Sequence, residues 1–265
     1  MQEHKGSPPS DHRPWQNRLL AALAYPERER LAPHLQLVPM RLGDLIYQPE
    51  MRLHYAYFPT TAVMSLHYVM RSGASSETAG VGNEGMVGIP FIMGAETASN
   101  SAVVQRAGHA YRMEGRLLAR EFERAAPLRR VLLRYVQALM RQTSQTAICN
   151  RHHSLEQQLS RWLLLTLDRD AARELVVTQQ QISCILGVRR EGVTETAGKF
   201  QDLGFIRYRR GHITVLNRRG LEAHACECYS VVRQELDRLR SEYSHHESLE
   251  IDVGQRRSQV AGQPV

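Results

Sequence analysis

Beyond Pro127, a seam of residues recurs at alternating steps of four and three: Leu128, Leu132, Tyr135, Leu139, Gln142, Thr146 and Cys149. A repeat of 3.5 residues kept up for about three heptads lies along one stripe of an α-helix and suits no strand. A helix this long has to bury its stripe. The rest of the chain can cover it, or a twin can pack on it across a two-fold axis, with polar Gln142 and Thr146 fixing the register. These seven residues are the expected seam of a homodimer.

The texture before this helix is different. After a polar head (1–14) and a short helical pattern from Trp15 to Leu31, brief β-like runs alternate with turn residues. The runs include Leu35–Leu42, Leu45–Tyr47, Tyr55–Phe58, Ala62–Val69, Ala102–Arg106 and Ala110–Met113, with Gly43-Asp44, Ser72-Gly73 and Ala79-Gly80 as turn residues between them. Short strands at this spacing predict an antiparallel sandwich or barrel. The expected fold class is therefore α+β, with a β domain over 15–126, a long helix over 127–151 and a second domain over 154–243. Asn150 to Ser154 reads as a hinge, with Ser154 as the N-cap of a helix running to Leu167. A last helix is expected from Leu221 to Tyr243. The tail, 244–265, lacks apolar periodicity and is expected to be disordered.

Composition narrows the function. No apolar run approaches the roughly 20 residues that a spanning helix needs, and the first residues lack a signal-like apolar core, so a cytoplasmic protein without membrane contact is expected. The four cysteines are too few and too unevenly spaced for a disulfide framework. His224, Cys226 and Cys228 suggest a metal when read linearly, but residues two apart on one helix face different ways, so no metal site is expected. Of 34 basic residues all but Lys5 and Lys199 are arginine, and the net charge is +7. Arginine suits phosphates and base edges, although charge alone identifies no partner.

The most informative stretch is 177–216. Thr178 can cap a two-turn helix burying Ile182, Ile185 and Leu186, and Gly187 supplies the positive φ of a tight turn. A second helix follows with Val188, Val193, Ala197, Phe200 and Leu203 facing inward, and small Ser183 permits the close crossing. This is a helix-turn-helix. Arg190, Glu191, Thr194 and Glu195 share the outward face, with side-chain types that can read base edges in a major groove. Ile206 to Leu216 then alternates like a hairpin turning at Gly211. On this wing and the adjoining helix, Arg189, Lys199, Arg207, Arg209, Arg210 and His212 are the expected phosphate contacts.

The order of these parts resembles the Crp/Fnr family of transcription regulators over about residues 17–240. The resemblance is carried by Arg41-Leu-Gly-Asp-Leu-Ile-Tyr47, the loop Val81-Gly-Asn-Glu-Gly-Met-Val-Gly88, the long helix, the hinge, and Gly187-Val-Arg-Arg-Glu-Gly-Val-Thr194. It implies a cyclic-nucleotide-binding-like β-roll, a dimerisation helix and a winged helix-turn-helix that binds double-stranded DNA at promoters in contact with RNA polymerase. Arg190 and Glu191 match the family's base-reading pair, while Glu195 stands where an arginine is frequent. By the same resemblance, an effector pocket would involve Glu84, Gly85, Asn100, Ser101, Thr143 and Ser144. Asn100 replaces the arginine that neutralises a cyclic phosphate, so cyclic AMP is not expected to bind in the usual way and the effector is unidentified. Cofactors are unknown.

Two other functions compete with this reading. A signal-sensing adaptor would act through protein contacts and keep the helix-turn-helix as a packing unit. An enzyme is not expected, because no nucleophile elbow, phosphate-binding Gly-Lys-Ser/Thr loop or His-Glu-x-x-His pair is present. The glycine-rich loop has no Lys or Arg nearby in sequence and reads as a structural turn.

Overall fold

A computed structural model describes residues 13–169 and 174–260, with backbone only from 244 onward. Helices α1 (Arg18–Ala21) and α2 (Tyr25–Leu31) precede strands β1 (Gln36–Met40), β2 (Leu45–Tyr47), β3 (Tyr55–Pro59), β4 (Val63–Val69), β5 (Ser75–Val81), β6 (Ser101–Arg106) and β7 (Gly108–Glu114). Helices α3 (Gly115–Arg124), α4 (Ala126–His152) and α5 (Leu155–Asp168) follow. The C-terminal part comprises β8 (Glu174–Val176), α6 (Gln179–Leu186), α7 (Arg190–Asp202), β9 (Ile206–Arg209), β10 (His212–Val215), α8 (Arg218–His224) and α9 (Glu227–Val260).

All strand pairs are antiparallel. The orders are β1-β7-β3 and β2-β6-β4-β5 in the N-terminal part, and β8-β10-β9 beside the C-terminal helices. Among the described residues two large hydrophobic cores result. Phe58, Met64, Met86, Met113 and Leu118 belong to the first, and Trp162, Leu163, Ile182, Val193 and Phe200 to the second. Helix α9 serves both, because its 3.5-residue stripe places Tyr229, Val232 and Leu236 in the second core and Leu239 and Tyr243 in the first.

The seam on α4 is covered from within the chain, which corrects the expected dimer seam. Leu128, Leu132, Tyr135, Gln142, Thr146 and Cys149 are buried, and Leu139 packs partly buried on the first core. The periodicity located the stripe correctly, but its occupant is the β-roll with α9. Arg134 and Arg141 fasten α9 through buried Glu235, with N···O distances of 2.6 and 3.3 Å, and Arg134 also reaches Glu242 at 2.6 Å.

Other boundaries differ from expectation. The polar break before α6 contains strand β8, held by pairing of Leu175 with Ile213. The last helix is two helices broken at Ala225–Cys226, and the second continues to Val260 through part of the tail expected to be disordered. Residues 1–12 and 261–265, where the rest of the disordered head and tail were expected, lie outside the described residues. The cap at Ser154 is as expected: Ser154 Oγ accepts the Gln157 N–H at 3.3 Å, and Gln157 Oε1 accepts the Ser154 N–H at 3.0 Å, a capping box that starts α5.

The two parts are joined by a buried ion pair. Arg169, just past α5, places its Nε 2.8 Å from Oε1 of Glu84 in the glycine-rich loop, and both side chains are almost wholly buried. Its Nη1 donates to the Leu165 carbonyl at 3.1 Å and its Nη2 to Gln142 Oε1 at 3.3 Å. Burial alone would raise the Glu84 pKa, but the Arg169 charge and hydrogen bond hold it below the usual carboxylate range. With a depressed folded pKa, the stability this pair contributes is present above the ordinary carboxylate value, about 4.3, and is lost as pH falls through the folded value. Glu84→Gln leaves Arg169 buried without its counter-charge and should cost about 3–5 kcal/mol in urea unfolding near neutral pH. The difference from the parent should narrow as the solution is acidified. An unchanged midpoint, or a difference that grows in acid, would contradict the assignment.

Candidate nucleic-acid interface

Helix α6 starts at Thr178, whose Oγ1 accepts the Gln181 N–H at 3.2 Å while Gln181 Oε1 accepts the Thr178 N–H at 2.8 Å. Ile182, Ser183, Ile185 and Leu186 are buried. Gly187 closes the helix at φ +67°, and the Val188 N–H donates to the Ser183 carbonyl at 3.0 Å. This left-handed turn, costly for any residue with a Cβ, sends the chain into α7.

Helix α7 buries Val193, Thr196, Ala197 and Phe200. Leu203, expected to face inward, is 54% exposed, because the helix ends before it and Gly204 turns the chain away at φ +69°. On the opposite side Arg190, Glu191, Thr194 and Glu195 are all exposed. The Thr194 hydroxyl lies 2.8 Å from Gln179 Oε1 and 3.1 Å from the Arg190 carbonyl. Lys199 lies 2.9 Å from Glu156 and 3.6 Å from Glu195, and these neighbours, Glu156 foremost through its hydrogen bond, raise its pKa.

The wing stands beside α7. Arg209 and His212 pair across a two-residue turn, Arg210-Gly211, in which both residues have positive φ (+52° and +80°), the signature of a type I′ hairpin. Two bonds hold it in place: the Tyr208 N–H donates to Gln201 Oε1 at 2.9 Å, and the Tyr208 hydroxyl donates to the Val177 carbonyl at 2.9 Å. Arg189, Arg207, Arg209 and Arg210 are exposed, and neither they nor Arg190 pair with a carboxylate among the described residues. His212 is partly engaged, with Nδ1 2.8 Å from Glu174 Oε1. Between helix and wing lies a concavity of about 610 Å³ lined by Gln179, Gln180, Arg190, Thr194, Gln201 and Arg210. The three glutamines were missed from sequence. Gln179 and Gln180 follow the cap directly, so their position at the start of α6 was the available signal.

The expected effector residues do not converge. Glu84 is consumed by Arg169, which the fold brings to a loop that has no basic neighbour in sequence. A Cβ on Gly85 would sit 2.1 Å from the Tyr135 ring, so this glycine makes room for α4. Asn100 lines a cavity of about 710 Å³ with Tyr47, Tyr68, Met86 and Leu139, whereas Ser101 lines a different one, about 370 Å³, between the β-roll and α6. Thr143 Oγ1 bonds back to the Leu139 carbonyl at 3.0 Å, and Ser144 is exposed. The break at Ala225–Cys226 also overturns the expectation that Cys226 and Cys228 diverge on one helix. Both sulfurs meet Cys149 and His153, while His224 stacks on Phe205 with ring centroids 4.8 Å apart.

The Crp-like helix-turn-helix domain family matches residues 157–224, which span α5 to α8. Among solved structures, a Crp/Fnr-family regulator from Eubacterium rectale is 17% identical, with a TM-score of 0.64 over 77% of this chain and 96% of its own. FixK2 from Bradyrhizobium japonicum is 15% identical, TM-score 0.60, over 72% and 98%. A Crp/Fnr-family regulator from Thermus thermophilus is 20% identical, TM-score 0.58, over 72% and 98%. No curated protein matches the sequence. Among the described residues no helix is long and apolar enough to cross a membrane. Residues 157–224 thus carry a Crp-like helix-turn-helix domain, and this domain, set behind an antiparallel β-roll and a long helix, shares the fold of these Crp/Fnr-family structures.

Proposed function

We propose that the chain acts as a homodimer that reads a two-fold symmetric DNA site, with α7 of each protomer in a major groove. The observation that carries this reading is the complete exposure of one polar face of α7 while its opposite face is locked in the second core. Arg190 is suited to fork onto guanine O6 and N7, Glu191 to accept from cytosine N4, and Thr194 to reach a base edge or a thymine methyl. Glu195, restrained by Lys199, acts as a modulator of specificity. Arg189, Arg207, Arg209 and Arg210, with no described carboxylate partner, flank this face as phosphate contacts, with Lys199 and His212 at its margins. Promoter action in contact with RNA polymerase is part of the same proposal and is supported by the match to the Crp-like helix-turn-helix domain and by the likeness in fold to Crp/Fnr-family regulators.

Dimerisation is assigned to the edge of α4 that the chain leaves uncovered. Leu133, Met140 and Ile148 are 52%, 64% and 51% exposed there, and with the exposed Gln137, Ser144 and Ala147 they form a second stripe at near-heptad spacing. An effector, if it enters the β-roll, has the cavity beside Asn100 available. An anionic ligand gains no counter-charge from Arg169, whose charge Glu84 already neutralises.

Two experiments test these assignments. In gel-shift titrations, Arg190→Ala should weaken binding to the preferred duplex by about 1–3 kcal/mol and relax sequence choice, whereas Arg209→Ala should weaken all duplexes alike and reduce the salt slope by about 1. Equal loss on specific and random DNA for Arg190→Ala would contradict the base-reading role, and the absence of any sequence preference in the parent would favour an adaptor. In analytical ultracentrifugation, a Leu133→Glu/Met140→Glu double variant should sediment as a folded monomer. A dimer of undiminished affinity would place the interface elsewhere.

A further inference from the structure

At the hinge the fold gathers four side chains that the DNA-reading surface does not use. Cys149 and His153 come from the end of α4, and Cys226 and Cys228 from the junction of α8 and α9. Their ligand atoms all lie within 4.8 Å of one another. The Cys149 and Cys226 sulfurs are 3.6 Å apart, and Cys228 Sγ is 3.4 Å from His153 Nδ1. All three thiols are buried and free, in a cluster separate from both hydrophobic cores. We propose that Cys149, His153, Cys226 and Cys228 bind a single thiophilic divalent cation of the zinc class, tying the end of α4 to the junction of α8 and α9.

Size, donor chemistry and surroundings agree. Tetrahedral zinc, with bonds of about 2.3 Å to sulfur and 2.0–2.1 Å to nitrogen, sets ligand edges of about 3.8 Å between sulfurs and about 3.6 Å from sulfur to nitrogen. The observed 3.6 and 3.4 Å separations are close to those edges. Three sulfurs and one imidazole select a soft or borderline ion over magnesium or calcium. The outer contacts are those that orient metal ligands. His153 directs Nδ1 into the cluster while its Nε2 lies 3.4 Å from the Glu227 carboxylate, and Gln145 Nε2 donates to Cys228 Sγ at 3.0 Å.

A second observation points to the same charge state. Arg161 is 5% exposed, donates from Nη1 to Thr146 Oγ1 at 3.1 Å, leaves its Nε without a partner, and pairs with no carboxylate among the described residues. Thr146 is one helical turn before Cys149, so the buried guanidinium sits beside the cluster. A buried cation without a counter-charge is costly. Three thiolates around a doubly charged ion leave one negative charge, which Arg161 offsets. Four protein ligands complete the coordination, which makes the site structural.

The test uses the full-length protein, reduced and freed of metal by a chelator, then titrated with Co2+ as a spectroscopic stand-in. The expected result is one Co2+ per chain, with sulfur-to-cobalt charge-transfer absorption and the intense visible bands of tetrahedral cobalt, both displaced by Zn2+. Cys226→Ser should abolish the charge-transfer signal or weaken binding at least tenfold, while Cys184→Ser, at the exposed cysteine outside the cluster, should leave both intact. Because Cys226→Ser could fail to fold, the parent is also melted with and without Zn2+, where a rise in Tm with Zn2+ and none with Mg2+ is expected. Absence of thiolate–cobalt absorption in the reduced parent would overturn the proposal, as would unaltered binding in folded Cys226→Ser, an unmoved Tm, or isolation with an iron–sulfur chromophore instead of a single ion.

Discussion

Helix α4 has two stripes, and their different fates organise the molecule. Leu128, Leu132, Tyr135, Gln142 and Thr146 are spent inside the chain, where Tyr135 donates to the Met86 carbonyl at 2.9 Å and Gln142 reaches the Gly80 carbonyl at 3.4 Å. This burial fixes the β-roll and α9 to one rod. It leaves the Leu133–Met140 edge open, carries Cys149 and His153 to the hinge, and determines where α5 departs toward the helix-turn-helix. If the stripe were instead spent on a twin, α9 would lose its seat and Glu235 its two arginines.

The helix-turn-helix part is docked on the β-roll at more than one point. Besides the Arg169–Glu84 pair, Ser75 and Ser76 of β5 donate to the carbonyls of Cys184 and Ile185 in α6 at 3.3 and 3.4 Å. Gly187 lies close to the same strand, with an added Cβ only 3.3 Å from Ser76. The turn that aims α7 is thus also a contact with the β-roll. A movement of β5 would act on α6 directly, and one of Glu84 would act on the end of α5 through Arg169, since buried, packed contacts of this kind rearrange between discrete states and do not deform continuously.

Local features were readable from sequence wherever a few neighbouring residues determine them. The caps at Ser154 and Thr178, the positive φ of Gly187 and Gly211, the exposed quartet on α7 and nearly every strand of the β-roll follow from residue type and period. What escaped depended on distant partners. A 3.5-residue repeat says which face of α4 is apolar and nothing about what covers it. Glu-Leu-Val at 174–176 is too short for a periodic signal and is a strand only because β10 lies beside it. Arg169 lies 85 positions from the carboxylate it neutralises. The cysteines separate on an unbroken helix, and they converge because the chain breaks at Ala225–Cys226, where neither glycine nor proline marks the break.

In the proposed function the open face of α7 reads sequence as one of a symmetric pair. Selection of bound sites from a random duplex library by the reduced full-length protein tests it most directly. A symmetric dimer should enrich an inverted repeat with half-site centres one helical turn apart, about 10–10.5 bp, or a multiple of it. A pool that remains random at moderate salt, with and without added cyclic nucleotides, would contradict it.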